Sequence, residues 1–119
     1  MFYLFLFVNR LSAFSNNHMS IVQEVEMLRQ EIANGPPLFP PPNDNAEELS
    51  KQFKRKNTRS KKLVNCRMLV CYFIRNQTQQ TYRKYVINKV AGELWRTTTR
   101  NNKLAYKNLC NQINSIINQ

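Results

Sequence analysis

A chain of 119 residues has room for one small domain, whose core must be compact and helped by a few large side chains. Its formal charge of +11 points to a polyanionic partner, either nucleic acid or an anionic membrane surface. Three cysteines without a CxxC pair, and one histidine (His18) far from them, exclude a disulfide framework and a zinc site, so neither a metal nor another cofactor is expected.

The first eight residues, MFYLFLFV, are nearly all apolar but fall far short of the roughly 20 that a membrane-spanning helix needs. They lack the positive n-region of a signal peptide, and translation from Met19 is an alternative, so residues 1–19 are set apart as an apolar N-terminus outside the working protein. In residues 20–34, Ile21, Val25, Leu28 and Ile32 recur at helical spacing with charged residues between them, which predicts one short amphipathic helix. Gly35 and five prolines in the next seven positions stop it, and residues 35–50 read as an extended Pro-rich linker. Residues 51–62, KQFKRKNTRSKK, hold seven Lys or Arg in twelve, a basic arm suited to DNA phosphates, to nuclear import or to both.

Charge divides the chain in two. Residues 1–50 carry a net −4, whereas residues 51–119 carry a net +15 with Glu93 as their only acid. The polyanion-binding function is therefore expected in the second part. Three apolar-periodic segments follow the arm. LVNCRMLVCYFIRN is apolar without a break from Met68 to Ile74, more than a one-faced surface helix needs. TYRKYVINKVAGELWR places Tyr82, Val86, Val90 and Leu94 at four-residue intervals, with Trp95 extending the stripe. In the third segment Thr99 can cap a helix whose buried face carries Tyr106, Leu109 and Ile113. Trp95 then closes the second helix where Tyr106 opens the buried face of the third, so the two rings can meet between the helices.

INKVAGELWRTTTRNNKLAYKNLCNQI, residues 87–113, resembles the second-to-third-helix motif of the HMG box, in particular its fungal mating-type branch. Ile87, Lys89, Gly92, Trp95, Lys103 and Tyr106 keep the spacing of that motif without a gap, and RMLVCYFIR, residues 67–75, is similar to its first-helix motif. Met68, Leu69 and Cys71 stand where the family has proline, a base-contacting asparagine and phenylalanine, and the stretch from Arg75 to Ile87 is shorter than usual.

The resemblance covers residues 61–119 and implies a three-helix L-shaped domain over 63–119; with the patterns before it, the expected fold is all-α, that domain preceded by a mostly disordered N-terminal region with one short helix. The resemblance also implies entry into the DNA minor groove with bending of the duplex. Lys61, Lys62, Arg67, Arg75, Lys89 and Arg96 would meet phosphates, Leu69 would occupy the base-contact position, and Tyr72 or Phe73 would be the apolar wedge. Tyr82, Val86, Val90, Leu94, Trp95, Tyr106, Leu109 and Ile113 would form the scaffold.

A DNA-binding transcription regulator acting in the nucleus is the leading expectation. The alternative is a degenerate box that works as a non-specific polycation, or as a protein-interaction module through residues 20–34. A secreted or membrane-surface cationic protein has only MFYLFLFV and the sequon at Asn76 in its favour. No small-molecule substrate and no enzymatic activity are expected, because the basic part has no carboxylate pair, no histidine and no metal-ligand cluster.

Overall fold

The structure is a computed structural model that describes residues 19–53 and 63–118. Among these residues it is all-helical, with five helices and no strand: α1 Ile21–Asn34, α2 Ala46–Phe53, α3 Cys66–Gln77, α4 Lys84–Thr97 and α5 Arg100–Ile117. The apolar N-terminus up to His18 and most of the basic arm, with Lys61 and Lys62, lie outside the described residues.

Local chemistry accounts for where the helices start. Ser20 accepts from the Gln23 amide while the Gln23 side chain accepts from the Ser20 amide, a reciprocal capping box that opens α1. Asn65 caps α3 by accepting from Met68 N–H, and Thr99 caps α5 by accepting from Asn102 N–H. At α4 the N-cap residue is Arg83, whose side chain makes no capping bond. The acceptor comes instead from α1: Glu24 Oε2 takes the Arg83 amide at 2.7 Å and Glu24 Oε1 takes Arg83 Nε at 2.6 Å.

That contact corrects the expectation of a disordered N-terminal region, for residues 19–53. Helix α1 packs along α4 and buries Val25 and Leu28. Its polar edge finishes the junction, since Glu31 accepts from the Tyr82 hydroxyl and from Gln79 N–H, each at 2.6 Å. Burial and the Glu31 carboxylate both push the Tyr82 hydroxyl well above the ordinary phenol range, so it stays a donor. Arg29 forks onto Glu93 of α4 at 2.7 and 3.0 Å.

The proline segment is likewise seated on the domain. Leu38 is buried, the Phe39 ring lies 5.1 Å from that of Tyr106, and the buried Tyr106 hydroxyl donates to the Leu38 carbonyl at 2.6 Å. A further helix then forms where the linker and the start of the arm were expected. Asn45 accepts from Glu48 N–H, Glu47 and Glu48 occupy the first turn, and Lys51 the last, all favourable to the helix dipole. Ala46, Leu49 and Phe53 share one face of α2, which packs on α5 with Leu49 fully inside.

One core joins all these parts. Tyr82, Val86, Val90, Tyr106, Leu109 and Ile113 are buried in it, while Leu94 and Trp95 pack against its edge. The Trp95 and Tyr106 rings meet edge to face at 5.9 Å, in the bend between α4 and α5. The extended residues before α3 are tied to the far end of α5, where the Asn114 side chain accepts from Val64 N–H at 2.7 Å and donates to its carbonyl at 2.9 Å.

Candidate nucleic-acid interface

Helices α3 and α4 pack side by side, and two contacts fix their register. Arg67 near the start of α3 lies over Gly92 near the end of α4, and one turn on, Cys71 Sγ meets Asn88 Oδ1 at 3.2 Å. The helices are therefore antiparallel. Arg67, Cys71 and Arg75 follow one another at four-residue spacing along α3, and the first two meet Gly92 and Asn88 of α4. Burial pushes the Cys71 thiol up, and the two arginines flanking it pull partly against that.

Gly92 matters here because it has no side chain. A Cβ at that position would run into the Arg67 guanidinium, whose Cζ would lie only 3.3 Å away. The missing methyl is the seat of the arginine. On α4, Tyr85, Lys89, Gly92 and Arg96 follow one another at four, three and four residues and so share a face. Lys89 and Arg96 are exposed, and the Tyr85 ring is 60% exposed.

The result is a cationic seam of Arg67 and Arg75 from α3 with Lys84, Lys89 and Arg96 from α4. The three ion pairs among the described residues are Arg29–Glu26, Arg29–Glu93 and Arg83–Glu24, so none of the five seam cations is in one. Glu93, the one carboxylate on α4, is hydrogen-bonded by Arg29, which holds its pKa below the ordinary carboxylate value, and the nearby charges of Lys89 and Arg96 add to that lowering. With three exposed arginines, two lysines and a partly open tyrosine, the seam can bind phosphate oxygens and stack on a base or sugar.

Of the expected contact residues, Arg67 lies over Gly92 where α3 meets α4, Arg75 is exposed further along α3, and Lys89 and Arg96 are exposed on α4, with Arg96 beside Glu93 and Arg29 at the groove between α4 and α1. Lys84 and Tyr85 join them, and their helical spacing with Lys89 was the available signal. Leu69 and Phe73 are placed elsewhere: both are buried, at 0% and 4% exposure, and the Phe73 ring packs edge-on against Tyr106 in the core. An apolar run wrapped around one helix cannot all face outward, and the residues of α3 that turn toward α4 and α5 are spent on packing. Tyr72 is half-buried, with Phe53 of α2 against its ring.

Among the described residues no group of three His, Cys, Asp or Glu side chains is placed to hold a metal ion, and no helix is long and apolar enough to cross a membrane. No protein-family model, curated protein or solved structure matches the chain.

Proposed function

We propose that this protein binds DNA through the α3–α4 seam, as a divergent HMG-box-type domain that enters the minor groove, bends the duplex and regulates transcription in the nucleus. The observation that carries the reading is the seam itself, five cations on two antiparallel helices with no carboxylate paired to any of them. Such a row costs self-repulsion in the free protein, and a phosphate backbone relieves it while releasing counterions. The order of α3, α4 and α5 and the Trp95–Tyr106 contact between the last two support the HMG-box comparison. Tyr72 is the wedge in this reading, because Phe73 is committed to the core.

In the competing role for residues 20–34, a helix offered to a protein partner, Val25 and Leu28 are already buried inside the chain and the exposed Ile21 and Val22 would be the apolar residues left to offer.

The test uses the full chain and fluorescence anisotropy with linear, pre-bent and four-way-junction DNA over a series of salt concentrations. Replacing Arg67, Lys89 and Arg96 together by glutamine should weaken binding to every DNA shape and flatten the log–log salt slope by about 3, close to one unit per lost phosphate contact. A slope that stays at the wild-type value would remove the seam as the interface.

A further inference from the structure

The wedge residue of the proposed DNA face is not open to solvent. Phe53, the last residue of α2, lies over Tyr72 with ring centroids 5.3 Å apart and planes at 54°. On its other side Tyr72 meets Phe73 edge-on at 5.6 Å. Phe73 is fixed in the core, whereas Phe53 comes from a separate part of the chain and is itself only half-buried. Tyr72 is therefore held between one permanent ring and one removable ring.

The anchoring of α2 is uneven along its length. Leu38 and Phe39 hold the preceding segment on Tyr106, and Leu49 is buried where α2 packs on α5. Beyond Leu49 only Phe53 reaches inward apart from Ser50, whose hydroxyl turns back to the Glu47 carbonyl at 2.7 Å. A helix of eight residues has little stability of its own, and the Leu38, Phe39 and Leu49 contacts all precede its last turn, so opening that turn would leave them in place.

We infer that the last turn of α2 is an autoinhibitory cap on Tyr72, one that DNA must displace before the tyrosine can enter between base pairs. The inference rests on the reading of the α3–α4 surface as the DNA face and adds a regulatory step to it. Arg67, Lys89 and Arg96 are exposed with the cap in place, so phosphate binding needs no opening. Insertion does need it. The capped protein holds DNA by charge, and only the uncapped fraction bends it, so affinity for distorted DNA is lowered by the size of that fraction.

The experiment compares full-length wild type, Phe53→Ala, Tyr72→Ala and the double variant on linear and four-way-junction DNA. Phe53→Ala should raise affinity for the junction about two- to twelvefold, the range set by one aromatic pair. It should leave linear-duplex affinity and the salt slope unchanged, and the gain should vanish when Tyr72 is also alanine. Hydrogen exchange on the wild type gives a second reading that does not depend on a variant folding: junction binding should deprotect amides in residues 50–53 while protecting α3 and α4.

A wild type that prefers the junction, with Phe53→Ala equal to it or weaker, overturns the cap and leaves the DNA reading standing. Residues 50–53 that stay protected on junction binding overturn it too. If neither wild type nor Phe53→Ala binds any DNA, both the cap and the reading it rests on are refuted.

Discussion

Replacing Glu24 by alanine should destabilise the protein far more than loss of a surface carboxylate normally does. Glu24 is only 9% exposed, and its two oxygens serve the backbone and the side chain of Arg83 at 2.7 and 2.6 Å. The backbone bond is charge-assisted and largely shielded, a class worth about 1.5–3 kcal/mol. A carboxylate at the N-terminus of α4 adds about 0.3–1 kcal/mol through the helix dipole. The side-chain pair adds less than about 1 kcal/mol, because the Arg83 side chain is 51% exposed and screened by water. The expected loss is about 2–4 kcal/mol, which for a domain of this size lowers Tm by roughly 10–20 °C.

The assay is urea and thermal unfolding followed by circular dichroism and by the fluorescence of Trp95, the only tryptophan. Two controls divide the effect. Glu24→Gln keeps an acceptor for the amide and should cost about 1 kcal/mol, while Arg83→Ala keeps the backbone bond and should cost less than that. If Glu24→Ala moves Tm no more than Arg83→Ala does, α1 is not docked on α4 and the argument fails.

Tyr106→Phe leaves the buried Leu38 carbonyl without its 2.6 Å donor and should cost about 1–3 kcal/mol, read as a lower urea midpoint. Glu93→Gln should be less stable than wild type at neutral pH. Because Arg29 depresses the folded-state pKa of Glu93, the stabilisation is complete above the ordinary value of 4.5 and is lost as pH falls through the lower folded value, so the two melting curves should converge in acid. Gly92→Ala should keep or raise Tm, since alanine favours helix by up to about 1 kcal/mol, yet weaken DNA binding by pushing the Arg67 guanidinium from its seat. A fall in both stability and affinity would mean that the methyl disturbs more than that side chain. Burial and the neighbouring Cys66 push the Cys110 thiol up to about 12, so alkylation at mildly alkaline pH followed by mass spectrometry should mark the half-exposed Cys66 well before Cys110.

The helices that carry the seam were legible because their periodicity is strong and their punctuation is local. Thr99 opens α5 where the pattern places it, and the stripe from Val86 to Leu94 runs along α4. Arg67, Arg75, Lys89 and Arg96 could be singled out by charge alone, but the seating of Arg67 on Gly92 depends on the antiparallel register of α3 and α4, which no single segment encodes. Helix α2 was hidden by its neighbours, a proline run before it and a charge run overlapping its end. Its own signals were present in Asn45 as cap, Glu47 and Glu48 in the first turn, and Ala46, Leu49 and Phe53 on one face. The role of Glu24 had no local signal of any kind, since its partner Arg83 lies 59 residues away.

The split of charge between the two parts of the chain acquires a physical meaning in the fold. If the acidic first part served to neutralise the basic second part, its carboxylates would lie along the seam, where the positive potential is concentrated. They lie elsewhere. Glu24 and Glu31 go to the turn before α4 and Glu26 goes to Arg29, each on the side of the molecule where α1 packs. Glu93 is drawn toward the same side by Arg29. The first part of the chain thus builds and caps the framework of α4 and buries Leu38 and Leu49 against the core, while none of Arg67, Arg75, Lys84, Lys89 and Arg96 is in an ion pair with its carboxylates. Glu24, Glu26 and Glu31 are spent on the α1 side of the molecule, and the carboxylate near Lys89 and Arg96 is Glu93, which Arg29 already holds.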